Sequence, residues 1–212
     1  METLKEGYFY HIYNRGAGSD KLFFSRNDYR DFLKKYEYYL CPALQTFAWC
    51  LIENHFHLLI RPFTIDEQVM FYLLNKEKFE SGYYHGTQNP EKKPFNASKQ
   101  ISHLMNSYTR YINKKKGRSG TLIEGPFKRI KVLDESNFLN LICYIHRNPI
   151  HHNITKSYSV YPYSSYCNFI NKRKSFIELE QVIEKFGGIR NFKEAHEEFR
   201  LKVISSENLL LE

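Results

Sequence analysis

Two apolar runs joined by a two-residue polar turn constrain the fold of this chain most strongly. Residues 44–62 read LQTFAWCLIENHFHLLIRP, and Glu53 and Asn54 separate the two halves. Each half has the length and the aromatic and aliphatic content of a buried strand. A connection of two residues makes an antiparallel hairpin the natural arrangement. We therefore expect a sheet built around this hairpin.

The second half of the hairpin carries two histidines, His55 and His57, one residue apart. Because side chains alternate along a strand, both imidazoles face one side, with Cα atoms about 6.6 Å apart. Phe56, Leu58 and Ile60 then face the other side, towards the core. The two histidines are either ligands of one cation or exposed residues on a half-solvated sheet face. Two ligands do not complete a metal site, so a third must come from elsewhere.

Periodicity predicts the remaining elements. Alternating residues predict strands at 8–16 and 126–133, and helical spacing predicts helices at 25–40, 66–80, 98–117 and 134–149, the last ended by Asn148-Pro149. The resulting order of strands and helices is that of a ferredoxin-like (RRM-like) antiparallel sheet, an α+β fold with helices packed on one face. We expect the helix at 134–148 to lie beside the sheet.

The chain divides into a domain over residues 1–170 and a C-terminal helical extension over 171–212. The first unit contains an insertion at about 64–97, whose second part, GYYHGTQNPEKKPFNAS, predicts a mobile surface loop. In the extension, IELEQVIEKFGG and NFKEAHEEFR predict two short amphipathic helices.

The charge of the chain favours a polyanionic partner. Its 31 Lys and Arg residues exceed its 23 Asp and Glu residues, giving a net charge of +8 and a pI near 9.2. The four cysteines are scattered without metal-binding spacing, which predicts reduced thiols in a cytoplasmic protein. Neither a secretory signal nor an apolar run of membrane-spanning length is seen, so no membrane partner is expected.

Basic residues are densest between residues 114 and 131, where Glu124 is the one acidic residue. Such cations can follow a phosphodiester backbone while nearby aromatic rings stack on unpaired bases, although a solvated basic helix end is the alternative. With Arg15 from the first strand, the candidate DNA-binding residues are Arg15, Lys114, Lys115, Lys116, Arg118, Lys128, Arg129 and Lys131.

The segment CYIHRNP contains a tyrosine and an asparagine one helical turn apart. Tyr144 and Asn148 are neighbours at i and i+4 on one helix face. The carboxamide oxygen of Asn148 can bind a cation, and the phenol oxygen of Tyr144 can attack phosphorus. In a chain with 17 tyrosines, packing is the alternative role of any one of them.

Three sequence blocks together resemble a known family. The blocks AWCLIENHFHLLIRP, SYTRYINKKKGRSGTLIEGPFKRI and YIHRNPI followed by YPYSSY are similar to the REP-associated tyrosine transposases, which are single-tyrosine HUH nucleases. The similarity covers roughly residues 7–170. It implies a domain that cuts and rejoins single-stranded DNA, often beside an imperfect hairpin, through a covalent 5′-phosphotyrosine intermediate.

The resemblance also implies roles for individual residues. His55 and His57 match the metal-binding pair, Tyr144 matches the nucleophile, and Asn148 matches the position of a third, amide-type ligand. Tyr108 and Tyr111, on the preceding helix, are rival nucleophiles. The resemblance implies Mg²⁺ or Mn²⁺ as the divalent ion, and a monomer or a homodimer as the working state.

Two other classes of function remain open from the sequence. A ferredoxin-like sheet can bind single-stranded nucleic acid without catalysis, which predicts binding with no metal requirement. A zinc-dependent hydrolase would use His146, His151 or His152 to complete a three-histidine site.

Overall fold

The computed structural model describes residues 4–86, 90–173 and 175–209. Its centre is a sheet of four antiparallel strands, Tyr10–Arg15 (β1), Leu44–Ile52 (β2), His55–Pro62 (β3) and Lys128–Lys131 (β4). Their order across the sheet is β2-β3-β1-β4. This is the ferredoxin-like arrangement predicted from the sequence.

The predicted hairpin is confirmed. Ile52 pairs with His55 and Leu51 with Phe56, so residues 53 and 54 form the connection. On its other side β3 pairs with β1, with Tyr13 opposite His57 and Arg15 opposite His55. The strand that carries the two histidines therefore lies inside the sheet.

The helices have bounds that the sequence predicted in part. They are Arg26–Leu40 (α1), Ile65–Leu74 (α2), Lys76–Glu80 (α3), Ala97–Lys116 (α4), Glu135–His151 (α5), Tyr166–Ile170 (α6), Leu179–Lys185 (α7) and Ile189–Leu209 (α8).

Helices α1 and α4 cover one face of the sheet and form the main core with it. Phe56 is fully buried on that face, and its ring lies 5.4 Å from the ring of Phe32 on α1. Phe32 in turn meets Tyr108 on α4 edge to face, at 5.1 Å. Phe56, Leu58 and Ile60 are all buried, as predicted, and so is Leu59, which points to the other face of the sheet.

Helix α5 lies over the opposite face of the sheet rather than beside it. The ring of Phe138 on α5 contacts Phe9, just before β1, at 4.9 Å and Phe47 on β2 at 5.4 Å. The face that carries His55 and His57 is consequently covered in part by a helix instead of being open to solvent.

Helix α5 also runs past the predicted end at Asn148-Pro149. Pro149 has no backbone N–H to donate to the oxygen of Ile145, yet the helix continues for two residues beyond it. Termination comes at Asn153, which has a φ of 55°, a left-handed conformation that asparagine adopts more readily than most residues. The two extra residues, Ile150 and His151, put His151 at the end of the helix and His152 directly after it.

The insertion differs from the mobile polar loop that its composition predicts. The predicted helix at 66–80 is divided at Asn75 into α2 and α3. Phe79, Tyr84 and Phe95 are buried in a small cluster against Cys41 and Ala43 at the end of α1. The insertion therefore has an apolar core of its own in its described part, with residues 87–89 lying outside that part.

The C-terminal extension packs on the outer side of α5. Phe192 and His196 of α8 are fully buried, and the His196 ring lies 5.0 Å from that of His146 on α5. The second predicted amphipathic helix, NFKEAHEEFR at 191–200, is longer than its sequence pattern indicated, since α8 runs from Ile189 to Leu209. Among the residues described, no helix combines the length and the apolar character needed to cross a membrane.

Candidate active site

A cavity of about 280 Å³ lies where the His55 end of β3 meets the C-terminal half of α5. Sheet residues and helix residues both line it. They are Tyr13, Asn14, Arg15, His55, His57 and Lys128 from the sheet and Tyr144, Asn148, His151 and His152 from α5 and the residue after it. The histidine pair, the tyrosine and the asparagine singled out from the sequence therefore share one cavity.

The two strand histidines are held in similar ways, each through Nδ1. His55 Nδ1 lies 2.7 Å from Oδ1 of Asn54, and His57 Nδ1 lies 2.9 Å from Nε2 of His11 on β1. Their rings are 5.1 Å apart and nearly perpendicular. Since Nδ1 is engaged in both rings, Nε2 is the nitrogen that each retains for another partner.

The environment keeps both imidazoles neutral at pH 7. Burial lowers the pKa of His57 to about 2 and that of His55 to about 4, with the neighbouring His152 adding to the second shift. A neutral imidazole has a lone pair available for a cation, whereas a protonated one does not.

Asn148 completes the group from the helix side. Asn148 is 2% exposed, and its closeness to both strand histidines opposes, without reversing, the lowering of their pKa by burial. Nδ2 of Asn148 donates to the backbone oxygen of Tyr144 at 2.9 Å. The amide nitrogen is therefore committed within the helix, and Oδ1 is the atom left to act as an acceptor or a ligand.

Tyr144 stands over the histidines with its side chain accessible. Its ring meets that of His57 edge to face at 5.6 Å, and that of His11 at 6.0 Å. The side chain is 39% exposed, so an extended ligand can reach it.

The rival tyrosines on α4 lie on the other side of the sheet. Tyr108 is fully buried and donates to the backbone oxygen of Leu22 at 2.8 Å, and burial raises its pKa well above the usual value. Tyr111 donates a hydrogen bond to Asp28 at 3.4 Å. Neither of these tyrosines is among the residues that line the cavity.

The donor set suits a divalent ion with open coordination positions. Two neutral imidazole nitrogens and one amide oxygen, with ring orientations fixed by Asn54 and His11, match the way protein ligands are usually held by outer partners. No group of three or more His, Cys, Asp or Glu side chains in the described part of the chain is placed to hold a metal. Of the histidines considered for a three-histidine zinc site, His146 faces away, towards His196 and Ser165.

The eight candidate DNA-binding residues do not form one cluster. Arg15 and Lys128 line the cavity, where Arg15 is paired with Glu124 at 2.8 Å. Lys131, further along β4, lies over the ring of Tyr8, and Arg129 lies over that of Phe127. Lys128 projects towards Tyr13, 5.9 Å from the centre of its ring.

The other four candidates are at the end of α4, and two of them have acidic partners that are distant in sequence. Lys115 pairs with the buried carboxylate of Asp28, and Arg118 pairs with Asp20 at 2.7 Å. Lys116 lies over the ring of Phe24, and Lys114 is exposed. The acidic residues opposing this basic segment therefore extend beyond Glu124.

The sequence pattern did not identify His11, and it indicated a role for His151 and His152 only in zinc binding. His11 could have been noticed because it alternates with Tyr13 on the first strand, but its approach to His57 depends on strand order. His152 lies 4.7 Å from His55, ring centre to ring centre, because α5 continues past Pro149.

Comparison with known proteins supports the fold. No protein-family model and no curated protein matches the chain. A solved structure of a REP-associated tyrosine transposase bound to a REP hairpin is similar, with a TM-score of 0.56 and 12% sequence identity. The similarity covers 81% of this chain and 84% of that one. The chain thus has the fold of the REP-associated tyrosine transposases, as its sequence blocks predicted.

Proposed function

We propose that this protein is a metal-dependent single-stranded DNA endonuclease and transposase that cuts and rejoins DNA through a covalent bond to Tyr144. The observation that carries the proposal is the position of the Tyr144 ring, 5.6 Å from that of His57 and in one cavity with His55 and Asn148. A passive binding protein has no need of this combination.

In the proposed reaction the Tyr144 oxygen attacks the scissile phosphorus in line with the leaving group. The bond from phosphorus to the tyrosine oxygen forms, and the bond from phosphorus to the 3′ oxygen breaks. The phenol loses its proton to solvent, and the departing 3′ oxygen gains one from solvent, so the step is balanced in protons. The product is a 5′-phosphotyrosine and a free 3′-hydroxyl, and because the phosphodiester bond energy is retained, a 3′-hydroxyl can reverse the step.

His55, His57 and Asn148 would hold the divalent ion, Mg²⁺ or Mn²⁺. When bound there, the ion would supply positive charge to the phosphate oxygens and favour the attack. The three side chains themselves need only present two lone pairs and an amide oxygen from fixed positions.

Arg15 and Lys128 would bind the phosphates on either side of the scissile one, since both line the cavity. The proposed substrate is single-stranded DNA next to a hairpin, which fits the hairpin carried by the similar structure. A cytoplasmic location fits the four free cysteine thiols.

The test uses a labelled single-stranded oligonucleotide with a hairpin taken from sequences flanking the gene. The full chain should form a protein–DNA adduct with Mn²⁺ that survives denaturation, and Tyr144→Phe should abolish it. Tyr13→Phe is the matched control, because Tyr13 also lines the cavity; this variant should keep forming the adduct.

Two outcomes would count against the proposal. An adduct that persists in Tyr144→Phe would mean that another residue is the nucleophile. Binding of the oligonucleotide without any adduct, with or without Mn²⁺, would favour the non-catalytic binding module.

A further inference from the structure

His11 occupies a buried position on β1 beside the histidine pair. In the register of β1 and β3, Tyr13 is directly opposite His57, while His11 is opposite Leu59. His11 therefore reaches His57 diagonally across the strands, a distance that long or aromatic side chains span. His11 is 8% exposed, and its ring lies edge to edge with that of His57, with 5.1 Å between centres and 23° between planes.

A single proton lies between the two rings, and its position decides what His57 can do. The 2.9 Å separation of His11 Nε2 and His57 Nδ1 requires one nitrogen to donate and the other to accept. When His57 Nδ1 donates, His57 Nε2 keeps its lone pair. When His11 donates, His57 carries its own proton on Nε2 and cannot serve as a ligand there.

The neighbouring histidine has the arrangement that leaves the lone pair on Nε2. His55 Nδ1 faces Oδ1 of Asn54 at 2.7 Å, and an amide oxygen can only accept. His55 is thus held with its proton on Nδ1 and its lone pair on Nε2. For His57 to carry its proton on Nδ1, as His55 does, the group at the position of His11 must accept that proton.

We propose that His11 is a positioning residue, which accepts the Nδ1 proton of His57 and so holds Nε2 of His57 ready for a cation. This inference rests on the proposed function, because it assigns His57 as a metal ligand. The His11 ring also meets the Tyr144 ring edge to face at 6.0 Å. It therefore packs against both the candidate ligand and the candidate nucleophile without occupying the cavity itself.

The experiment measures Mn²⁺ binding to the full chain by titration calorimetry in the absence of DNA. His11→Phe keeps a ring but removes the acceptor, and His11→Gln keeps an acceptor near the position of Nε2. We expect His11→Phe to weaken Mn²⁺ binding about 10- to 100-fold, the usual effect of losing an outer partner of a metal ligand. His11→Gln should recover most of the affinity, and Tyr111→Phe, on the other side of the sheet, should bind as the unmodified chain does.

A second measurement needs no variant that might misfold. Long-range proton–nitrogen NMR spectra of the metal-free chain should show the His57 proton on Nδ1. A proton on Nε2 of His57 would overturn the inference, and so would wild-type Mn²⁺ affinity in a folded His11→Phe variant.

Failure of the inference and failure of the proposed function give different results. Metal binding that depends on His57 but not on His11 would overturn the inference alone. Metal binding that depends on His11, in a chain that forms no Tyr144 adduct, would support the inference and contradict the nuclease. Absence of Mn²⁺ binding by the unmodified chain would contradict both.

Discussion

Replacement of His196 by phenylalanine tests how the C-terminal extension is attached to the rest of the molecule. His196 Nδ1 lies 2.7 Å from the backbone oxygen of Phe192, which can only accept, so Nδ1 is the donor. His196 Nε2 must then accept from His146 Nδ1 at 2.8 Å, and His146 Nε2 accepts from the Ser165 hydroxyl at 2.7 Å. Ser165 in turn accepts the backbone N–H of Trp49 at 2.9 Å. One directional chain of hydrogen bonds therefore joins α8 to α5 and to β2.

At pH 7 the substitution should be destabilising. Phenylalanine keeps most of the ring volume but leaves the His146 N–H buried without its acceptor, which typically costs about 1–3 kcal/mol. His196 is fully buried, so water cannot replace the lost partner.

The difference in the free energy of unfolding between the two proteins should be smaller at acid pH. Burial lowers the pKa of His196 from 6.5 to about 4, so the unfolded chain takes up a proton first as the pH falls. The contribution of neutral His196 to the free energy of unfolding is fully present above pH 6.5 and is lost as the pH falls towards 4. Between pH 7 and pH 5 the loss is about 2 kcal/mol for a shift of this size. The phenylalanine variant has no such loss at this position.

The assay is urea unfolding of both proteins at pH 7 and pH 5, followed by circular dichroism. We expect the variant to be less stable at pH 7 and the gap between the two proteins to narrow by about 2 kcal/mol at pH 5. If the difference in the free energy of unfolding is the same at both pH values, the hydrogen-bond chain and the neutral state of its histidines are refuted.

Three further substitutions test other parts of the structure. Lys115→Ala should lower the free energy of unfolding measured in urea, because it removes the cation that pairs with the buried carboxylate of Asp28, whereas Lys114→Ala should leave urea unfolding unchanged. Lys128→Ala should weaken oligonucleotide binding, because one phosphate contact is lost. The slope of log affinity against log salt concentration should become shallower by about 0.7. An unchanged slope would mean that Lys128 does not contact the DNA. Phe56→Ala should cost about 3–5 kcal/mol in urea unfolding, because the ring is fully buried against α1, and a cost below about 1 kcal/mol would contradict the assigned core face.

The elements that depend on local patterns were predictable from the sequence. Strand alternation and the two-residue turn at 53–54 were sufficient for the hairpin and for the separation of His55 and His57 from Phe56. The ferredoxin-like order followed from the succession of strands and helices. Tyr144 and Asn148 were adjacent in the prediction because helical spacing alone brings positions four apart together.

Features that depend on contacts distant in sequence were not predictable. The approach of His11 to His57 needs the register of β1 against β3, and the pairing of Lys115 with Asp28 needs α1 to lie against α4. The placement of α5 over the sheet was missed because its apolar face, like any amphipathic stripe, does not say which surface it covers. The end of α5 was misplaced because Asn153, rather than Pro149, stops the helix.

The chemical identity of the residue that becomes attached to DNA tests the central claim most directly. After reaction with a single-stranded oligonucleotide and Mn²⁺, the adduct is digested with nuclease and trypsin and analysed by mass spectrometry. Cleavage after Lys131 and Arg147 gives the peptide 132–147, in which Tyr144 is the one tyrosine. The account predicts a nucleotide attached to this peptide. A nucleotide on 100–110, which carries Tyr108, or on 6–15, which carries Tyr13, would contradict it.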